Sequence, residues 1–160
     1  MSTMTVAELV KDRRSDELIT LPASASVADA VAVMAAREVG AVLVMNDEGL
    51  VSGIFSERDL LARVVAAGRN PGDTPLSLVM TRDVRFVSPG TTIEAAMALM
   101  QVNRFRHLLV MDGPRVLGLV SMGDMTNHLI RHGEGRFEAA VRGRIAGPAA
   151  ERAPKGAGGS

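Results

Sequence analysis

Two copies of a short motif place a serine and an aspartate at equivalent points of this chain. Residues 53–60 read Gly-Ile-Phe-Ser-Glu-Arg-Asp-Leu, and residues 118–125 read Gly-Leu-Val-Ser-Met-Gly-Asp-Met. In each copy, apolar strand-like residues precede a Ser-x-x-Asp sequence that is typical of the first turn of a helix. A helix start presents unpaired N–H groups and partial positive charge, which favour an anion such as phosphate. Because Asp59 and Asp124 can accept hydrogen bonds from sugar hydroxyls, the two junctions predict two nucleotide sites.

The helices and strands that must position these residues also occur twice. Apolar periodicity, capping sequences and turn residues predict their bounds, and we expect Gly40 to end the second helix. In chain order the pattern predicts a helix over 5–11, a strand over 18–21, a helix over 26–37, strands over 41–45 and 50–55, a helix over 57–67, a helix over 75–80, a strand over 84–87, a helix over 91–103, strands over 108–111 and 116–120, and a helix over 124–132.

The two halves match residue by residue. Ser26 corresponds to Thr92 at an offset of 66 residues, and after a turn that is one residue shorter, Asp59 corresponds to Asp124 at an offset of 65. Such matches in register indicate an internal duplication. Each half has too few strands to bury both faces of its sheet, so the halves should pack on each other.

These patterns predict an α/β (α+β) fold with two repeats. Residues 1–70 form the first repeat and residues 71–132 the second, each with a small sheet flanked by helices. Residues 133–146 are predicted to form a further helix, because their apolar residues are spaced by four. Residues 147–160, rich in Gly, Ala and Pro, are predicted to be a disordered tail.

The composition bounds the class of protein. Hydrophobic residues make up 47% and charged residues 22% of the chain, which is ordinary for a globular protein. The 18 basic and 18 acidic side chains cancel, so charge does not favour nucleic acid as a partner. The lack of cysteine excludes disulfides and thiol catalysis and fits the cytoplasm. No apolar run approaches the roughly 20 residues of a membrane helix, and the first residues lack a secretory signal pattern.

The duplicated unit resembles the tandem CBS (cystathionine-β-synthase-type) domain pair, or Bateman module, over roughly residues 5–132. The resemblance rests on both Gly-h-h-Ser-x-x-Asp motifs (h is apolar), on Val79-Met80-Thr81, and on the sequence Arg-His-Leu-Leu-Val at 106–110. It implies two repeats related by a pseudo-twofold axis, each with a small mixed sheet and packed sheet to sheet, with two clefts between them for adenosine-containing ligands. AMP, ADP or ATP is the implied ligand, with NAD or S-adenosylmethionine as further candidates. It also implies a homodimer, a regulated partner protein and no catalytic activity.

The resemblance also implies roles for individual residues. Asp59 with Ser56, and Asp124 with Ser121, would contact ribose or phosphate. The phosphates would be faced by Arg58, Arg106 and His107. The backbone at the start of the middle strand of each repeat would line the adenine pocket. The residues predicted to bind ligand are Thr20, Gly40, Ala41, Val42, Ser56, Arg58, Asp59, Val84, Arg106, His107, Leu108, Ser121 and Asp124.

The two repeats differ where charge matters. The second repeat has Arg106-His107 where the first has Gly40-Ala41, and the first has Glu57-Arg58 where the second has Met122-Gly123. Each pocket would then have charged side chains either at the start of its middle strand or at its helix start, but not at both, unless the clefts share side chains across the pseudo-twofold axis. We therefore expect one site to bind better than the other.

Several of these signals have structural alternatives. Ser-x-x-Asp is a plain capping box in most proteins that carry it, and His107 could bond a backbone carbonyl. His128 and His132 have metal-ligand spacing, but a solvated helix face is favoured because no third ligand lies nearby. The residues of one apolar stripe are candidates for a dimer contact or for the core, namely Val27, Val31, Met34, Ile93, Met97 and Met100.

No sequence for a catalytic nucleophile elbow or a phosphate loop is present. The sequence therefore favours a non-catalytic regulatory module that binds an adenine nucleotide and signals to a partner. The alternative is a homodimeric interaction protein of the same fold with vestigial pockets.

Overall fold

Two three-stranded sheets carry the fold, one in each repeat. The structure is a computed structural model, and it describes residues 4–11 and 18–132. In each sheet the first strand is parallel and the third antiparallel to the middle strand, so both sheets are mixed. The first sheet contains β1 (Thr20–Pro22), β2 (Ala41–Met45) and β3 (Val51–Ser56), and the second contains β4 (Phe86–Val87), β5 (His107–Asp112) and β6 (Arg115–Ser121).

The helices follow the predicted duplicated order. They are α1 (Val6–Lys11), α2 (Val27–Arg37), α3 (Glu57–Asp59) with a π-helical continuation (Leu60–Val65), α4 (Leu76–Val79), α5 (Ile93–Asn103) and α6 (Met122–His132), with a short 3₁₀ turn at Pro71–Asp73. Within the two described ranges, no helix is long and apolar enough to cross a bilayer.

Some element ends differ from the prediction. β1 begins at Thr20 and includes Pro22, because an edge strand tolerates the missing N–H of proline. The strand predicted over 84–87 is shortened to β4. Gly40 does not end α2; Glu38 does, with a left-handed φ of 55°, and Arg104 does the same for α5 with φ 59°.

The sheets pack face to face, as predicted. Leu43 and Ile54 of the first sheet and Leu109 of the second form the buried centre of one apolar cluster. The opposite face of each sheet is covered by helices: Phe55 lies in a separate core with α2 and α4, and Val120 lies in another with α5 and α6. The molecule is therefore layered helix, sheet, sheet, helix.

The first helix of each repeat packs on the other repeat. Val6 and Leu9 of α1 are buried in the core of the second sheet, while Leu76 and Val79 of α4 are buried in the core of the first. Matching backbone bonds fix this exchange: Val6 N donates to the carbonyl of Thr91 at 2.9 Å, and Leu76 N donates to that of Ala25 at 2.9 Å. Packing thus crosses the predicted boundary between residues 70 and 71.

The apolar stripe proposed for a dimer contact belongs to the core. Val27, Met34, Ile93 and Met100 are all at most 6% exposed, and Val31 and Met97 pack against the same clusters. The homodimer itself stays a prediction. The helix and tail predicted over 133–160 lie outside the described residues.

The motif glycine Gly53 lets the segment after α4 approach β3. A Cβ on Gly53 would lie 2.6 Å from the carbonyl oxygen of Thr81 and 2.9 Å from the sulfur of Met80. We expect Gly53→Ala to lower the free energy of unfolding by about 1–3 kcal/mol, because overpacking forces the backbone apart. Chemical denaturation measures this.

Gly90→Ala is the matched control, since a Cβ there meets nothing within 4 Å. Equal stability of the two variants would show that the segment after α4 does not pack against β3 at Gly53.

Candidate functional site

Both serine–aspartate pairs cap a helix, as their spacing predicts. The backbone N–H of Ser56 donates to Oδ2 of Asp59 at 3.0 Å, and that of Ser121 donates to Oδ2 of Asp124 at 2.8 Å. Asp59 is only 5% exposed, whereas Asp124 is half-buried. The capping role is therefore present at both junctions and must coexist with any ligand role.

Two clefts open beside these junctions. The large cleft has a volume of about 770 Å³ and the small cleft one of about 360 Å³. The large cleft is lined by Val10, Leu18, Ile19, Arg37, Glu38, Val39, Gly40, Ala41, Ser56, Glu57, Arg58, Arg106, His107, Arg115, Val116, Leu117, Gly118, Leu119, Ser121 and Asp124. The small cleft is lined by Ile54, Ser56, Arg58, Asp59, Ala62, Arg63, Thr81, Asp83, Val84, Arg85, Arg104, Phe105, Arg106 and His107.

Each cleft is built from both repeats. The small cleft joins the start of β5, at His107, to the helix start of the first repeat at Asp59. The large cleft joins the start of β2, at Ala41, to the helix start of the second repeat at Asp124. The clefts also meet, because four residues line both of them. These are Ser56, Arg58, Arg106 and His107.

The small cleft has an excess of positive charge. Five arginines and two aspartates line it. Arg85 pairs with Asp83 at 3.3 Å and lies over the ring of Phe105 at 5.0 Å, and Nε of Arg63 lies 3.6 Å from Oδ1 of Asp59. The other three arginines are exposed and make no ion pair within residues 4–11 and 18–132. They are Arg58, Arg104 and Arg106. Such guanidinium groups suit phosphate oxygens.

Asp59 is held by donors from two parts of the chain. Oδ2 accepts from the N–H and the hydroxyl of Ser56 at 3.0 and 3.1 Å. Oδ1 accepts from the hydroxyl of Thr81 at 2.9 Å. Arg63 links this carboxylate to the end of α4, because its guanidinium also donates to the carbonyl of Met80 at 2.9 Å. The carboxylate thus lies in the cleft wall with its oxygens already engaged.

His107 lies where the two clefts meet. Burial is the largest influence on the pKa of its imidazole and lowers it below the ordinary value of 6.5. Asp124 opposes that shift, Arg106 reinforces it, and Asp59 and Glu57 oppose it, without outweighing burial. The imidazole is therefore mostly neutral at neutral pH, and the positive charge of the small cleft comes from arginine.

Comparison with known proteins decides the family. The sequence profile of the CBS domain matches the chain twice, over residues 6–66 and 76–131. The chain belongs to the CBS-domain family. The two matches also confirm the internal duplication that the spacing of the motifs predicts.

Relatives with CBS domains are found in plants and bacteria. CBSCBSPB3 of Arabidopsis thaliana is 37% identical over 113 residues, covering 71% of this chain and 20% of the relative, so this chain spans about a fifth of that protein. YhcV of Bacillus subtilis (strain 168) is 31% identical over 116 residues, covering 72% of this chain and 81% of YhcV. The solved structure of a CBS-domain protein from Burkholderia ambifaria MC40-6 has 35% identity and a TM-score of 0.76, covering 82% of this chain and 97% of that one.

Most residues predicted to bind ligand line a cleft of this CBS pair. Three do not: Val42 and Leu108 are at most 1% exposed and face the helices, and Thr20 lies on the edge strand outside both clefts. The ligand-binding role of the whole set stays a prediction. The residues that line a cleft are Gly40, Ala41, Ser56, Arg58, Asp59, Val84, Arg106, His107, Ser121 and Asp124.

The sequence did not reveal five polar residues of the small cleft, Arg63, Thr81, Asp83, Arg85 and Arg104. A signal existed for Thr81, since Val79-Met80-Thr81 carries part of the resemblance. The arginines have no local signature, because only tertiary contact brings them together. His128 and His132 stack with ring centroids 4.5 Å apart, but residues 4–11 and 18–132 hold no cluster of His, Asp or Glu suited to a metal ion.

The lowered pKa of His107 predicts a pH dependence of stability. Because the unfolded chain takes up the proton near pH 6.5 and the folded chain at a lower pH, stability should fall as the pH drops below 6.5. We expect urea denaturation at about pH 7.5 and about pH 5.5 to show a smaller loss for His107→Gln than for the unaltered protein.

His132→Gln, at an exposed position at the end of α6, is the control. If H107Q and the unaltered protein lost stability in parallel, His107 would not be the buried group described.

Proposed function

We propose that this CBS pair is a non-catalytic regulatory module that binds an adenine nucleotide in the small cleft and passes the change to a partner protein. The observation that carries the proposal is the combination of one buried carboxylate, Asp59, with three exposed arginines that pair with no carboxylate among the described residues, around a cleft of about 360 Å³. A carboxylate suits the hydroxyls of ribose, and arginines suit phosphates.

The apolar parts of the small cleft suit the base. Val84, Ile54 and Phe105 line it together with the backbone at the start of β5. Strand backbone offers N–H and C=O groups that can hydrogen-bond the edge of a purine. The net positive charge favours AMP, ADP or ATP over S-adenosylmethionine, which carries a sulfonium cation, and places NAD between them.

We assign weaker nucleotide binding to the large cleft. At the start of β2 the carboxylate of Glu57 lies 3.6 Å from the place that a Cβ on Gly40 would occupy. The residue equivalent to Gly40 in the second repeat is Arg106, which is positively charged. A carboxylate there repels phosphate, so the clefts should differ in affinity.

For regulation, the nucleotide needs only to bind one conformation of the protein more tightly than another. The related Burkholderia protein has been suggested to act in signal transduction, which supports such a role. A second copy of the chain and a separate regulated protein are the partners we propose, in the cytoplasm.

Calorimetric titration tests the ligand. We expect ATP, ADP or AMP to bind, NAD and S-adenosylmethionine to bind less well, and Asp59→Asn to weaken nucleotide binding roughly 10- to 100-fold, because a hydrogen bond to a charged group is lost. Asp47→Asn, exposed in the turn after β2, should bind as the unaltered protein does.

If none of the five compounds bound, the proposal would be contradicted. That result would favour the alternative, a homodimeric interaction protein with vestigial pockets. The hydrogen bonds that both oxygens of Asp59 already accept within the protein support this alternative.

A further inference from the structure

The hydroxyl of Thr81 occupies the acceptor that a bound sugar would need. It donates to Oδ1 of Asp59 at 2.9 Å, across a sequence separation of 22 residues. The remaining donors to this carboxylate come from Ser56, which is part of the helix start itself. A carboxylate has about four lone-pair sites, and with Arg63 Nε 3.6 Å from Oδ1, little capacity remains.

Of these donors, Thr81 can leave at the lowest cost. Releasing Ser56 would uncap α3, whereas the Thr81 side chain can rotate while its backbone stays paired with Ile54, through N–H···O bonds of 2.8 and 2.9 Å in the two directions. Thr81 also lines the small cleft beside Asp59, so an entering hydroxyl group reaches the same oxygen from the cleft.

We propose that Thr81 is an internal competitor for Asp59: ligand hydroxyls displace its side chain, and this exchange sets the affinity of the small cleft. The inference rests on the proposed function and adds that the ligand presents a hydroxyl group to Oδ1 of Asp59. Hydroxyl replaces hydroxyl at Oδ1, so the number of hydrogen bonds to the carboxylate is conserved.

The exchange takes place on the segment that follows α4. Thr81 lies two residues beyond the end of α4, and the chain after it supplies Asp83, Val84 and Arg85 to the cleft wall. Arg63 ties Asp59 to the carbonyl of Met80 at 2.9 Å. A ligand on Asp59 therefore acts on the side chains of this segment of the second repeat, while the pairing with Ile54 keeps its backbone in place.

The test compares ATP with 2′,3′-dideoxy-ATP, which lacks both ribose hydroxyls, by calorimetry on the full chain. Thr81→Val removes the competing hydroxyl, so it should bind ATP roughly tenfold tighter than the unaltered protein, equivalent to about 1.4 kcal/mol. For the dideoxy compound the two proteins should bind alike, because that compound cannot use the freed oxygen.

Thr74→Val is the matched control, since it removes a buried threonine hydroxyl seven residues earlier in the chain, which donates to the backbone carbonyl of Asn70 at 2.7 Å. It should leave both affinities unchanged. As a second measurement, NMR of the unaltered protein should show the Thr81 side chain changing rotamer on addition of ATP but not of the dideoxy compound.

Equal or weaker ATP binding by T81V, or a gain that persists with the dideoxy compound, would overturn the competition while leaving nucleotide binding in place. Failure of all three proteins to bind ATP would overturn the proposed function and this inference together.

Discussion

The contact between the two sheets is the constraint on which the sites depend. Leu43, Ile54 and Leu109 bury the inner faces against each other, and this contact brings the helix start of one repeat beside the first residues of the middle strand of the other. Neither repeat alone has a complete cleft. The reciprocal packing of α1 and α4 adds a second link between the repeats, so a change in one cleft bears on the whole pair.

Because the clefts combine both repeats, charges that the sequence separates meet in one place. Arg106 and His107 of the second repeat join Arg58 of the first at the small cleft. The sequence left open whether side chains are shared in this way, and sharing is what the structure shows. The large cleft is set apart by the acidic side chain of Glu57, which lies near Gly40 at the start of β2, where the second repeat has Arg106.

Much of the fold could be predicted from the sequence, because capping residues, apolar periodicity and the internal repeat are local sequence features. Capping at Ser26 and Ser56, alternation of strands and helices, and the constant offset between halves predicted the element order and the packing of the halves on each other. The resemblance to CBS pairs added the sheet-to-sheet contact. The π-helical turn at Leu60–Val65 and the helix end at Glu38 were not predicted, because they depend on backbone geometry that no residue type dictates. The contacts of Arg63 and Thr81 with Asp59 were missed for another reason: they depend on how the connection after α4 lies against β3.

The most direct test of the account is a crystal structure of the full chain with ATP. The account predicts a purine beside the start of β5, ribose hydroxyls within hydrogen-bonding distance of Asp59, and phosphates near Arg58 and Arg104, so that the nucleotide touches both repeats. A nucleotide that contacted a single repeat, or that left Asp59 untouched, would contradict it.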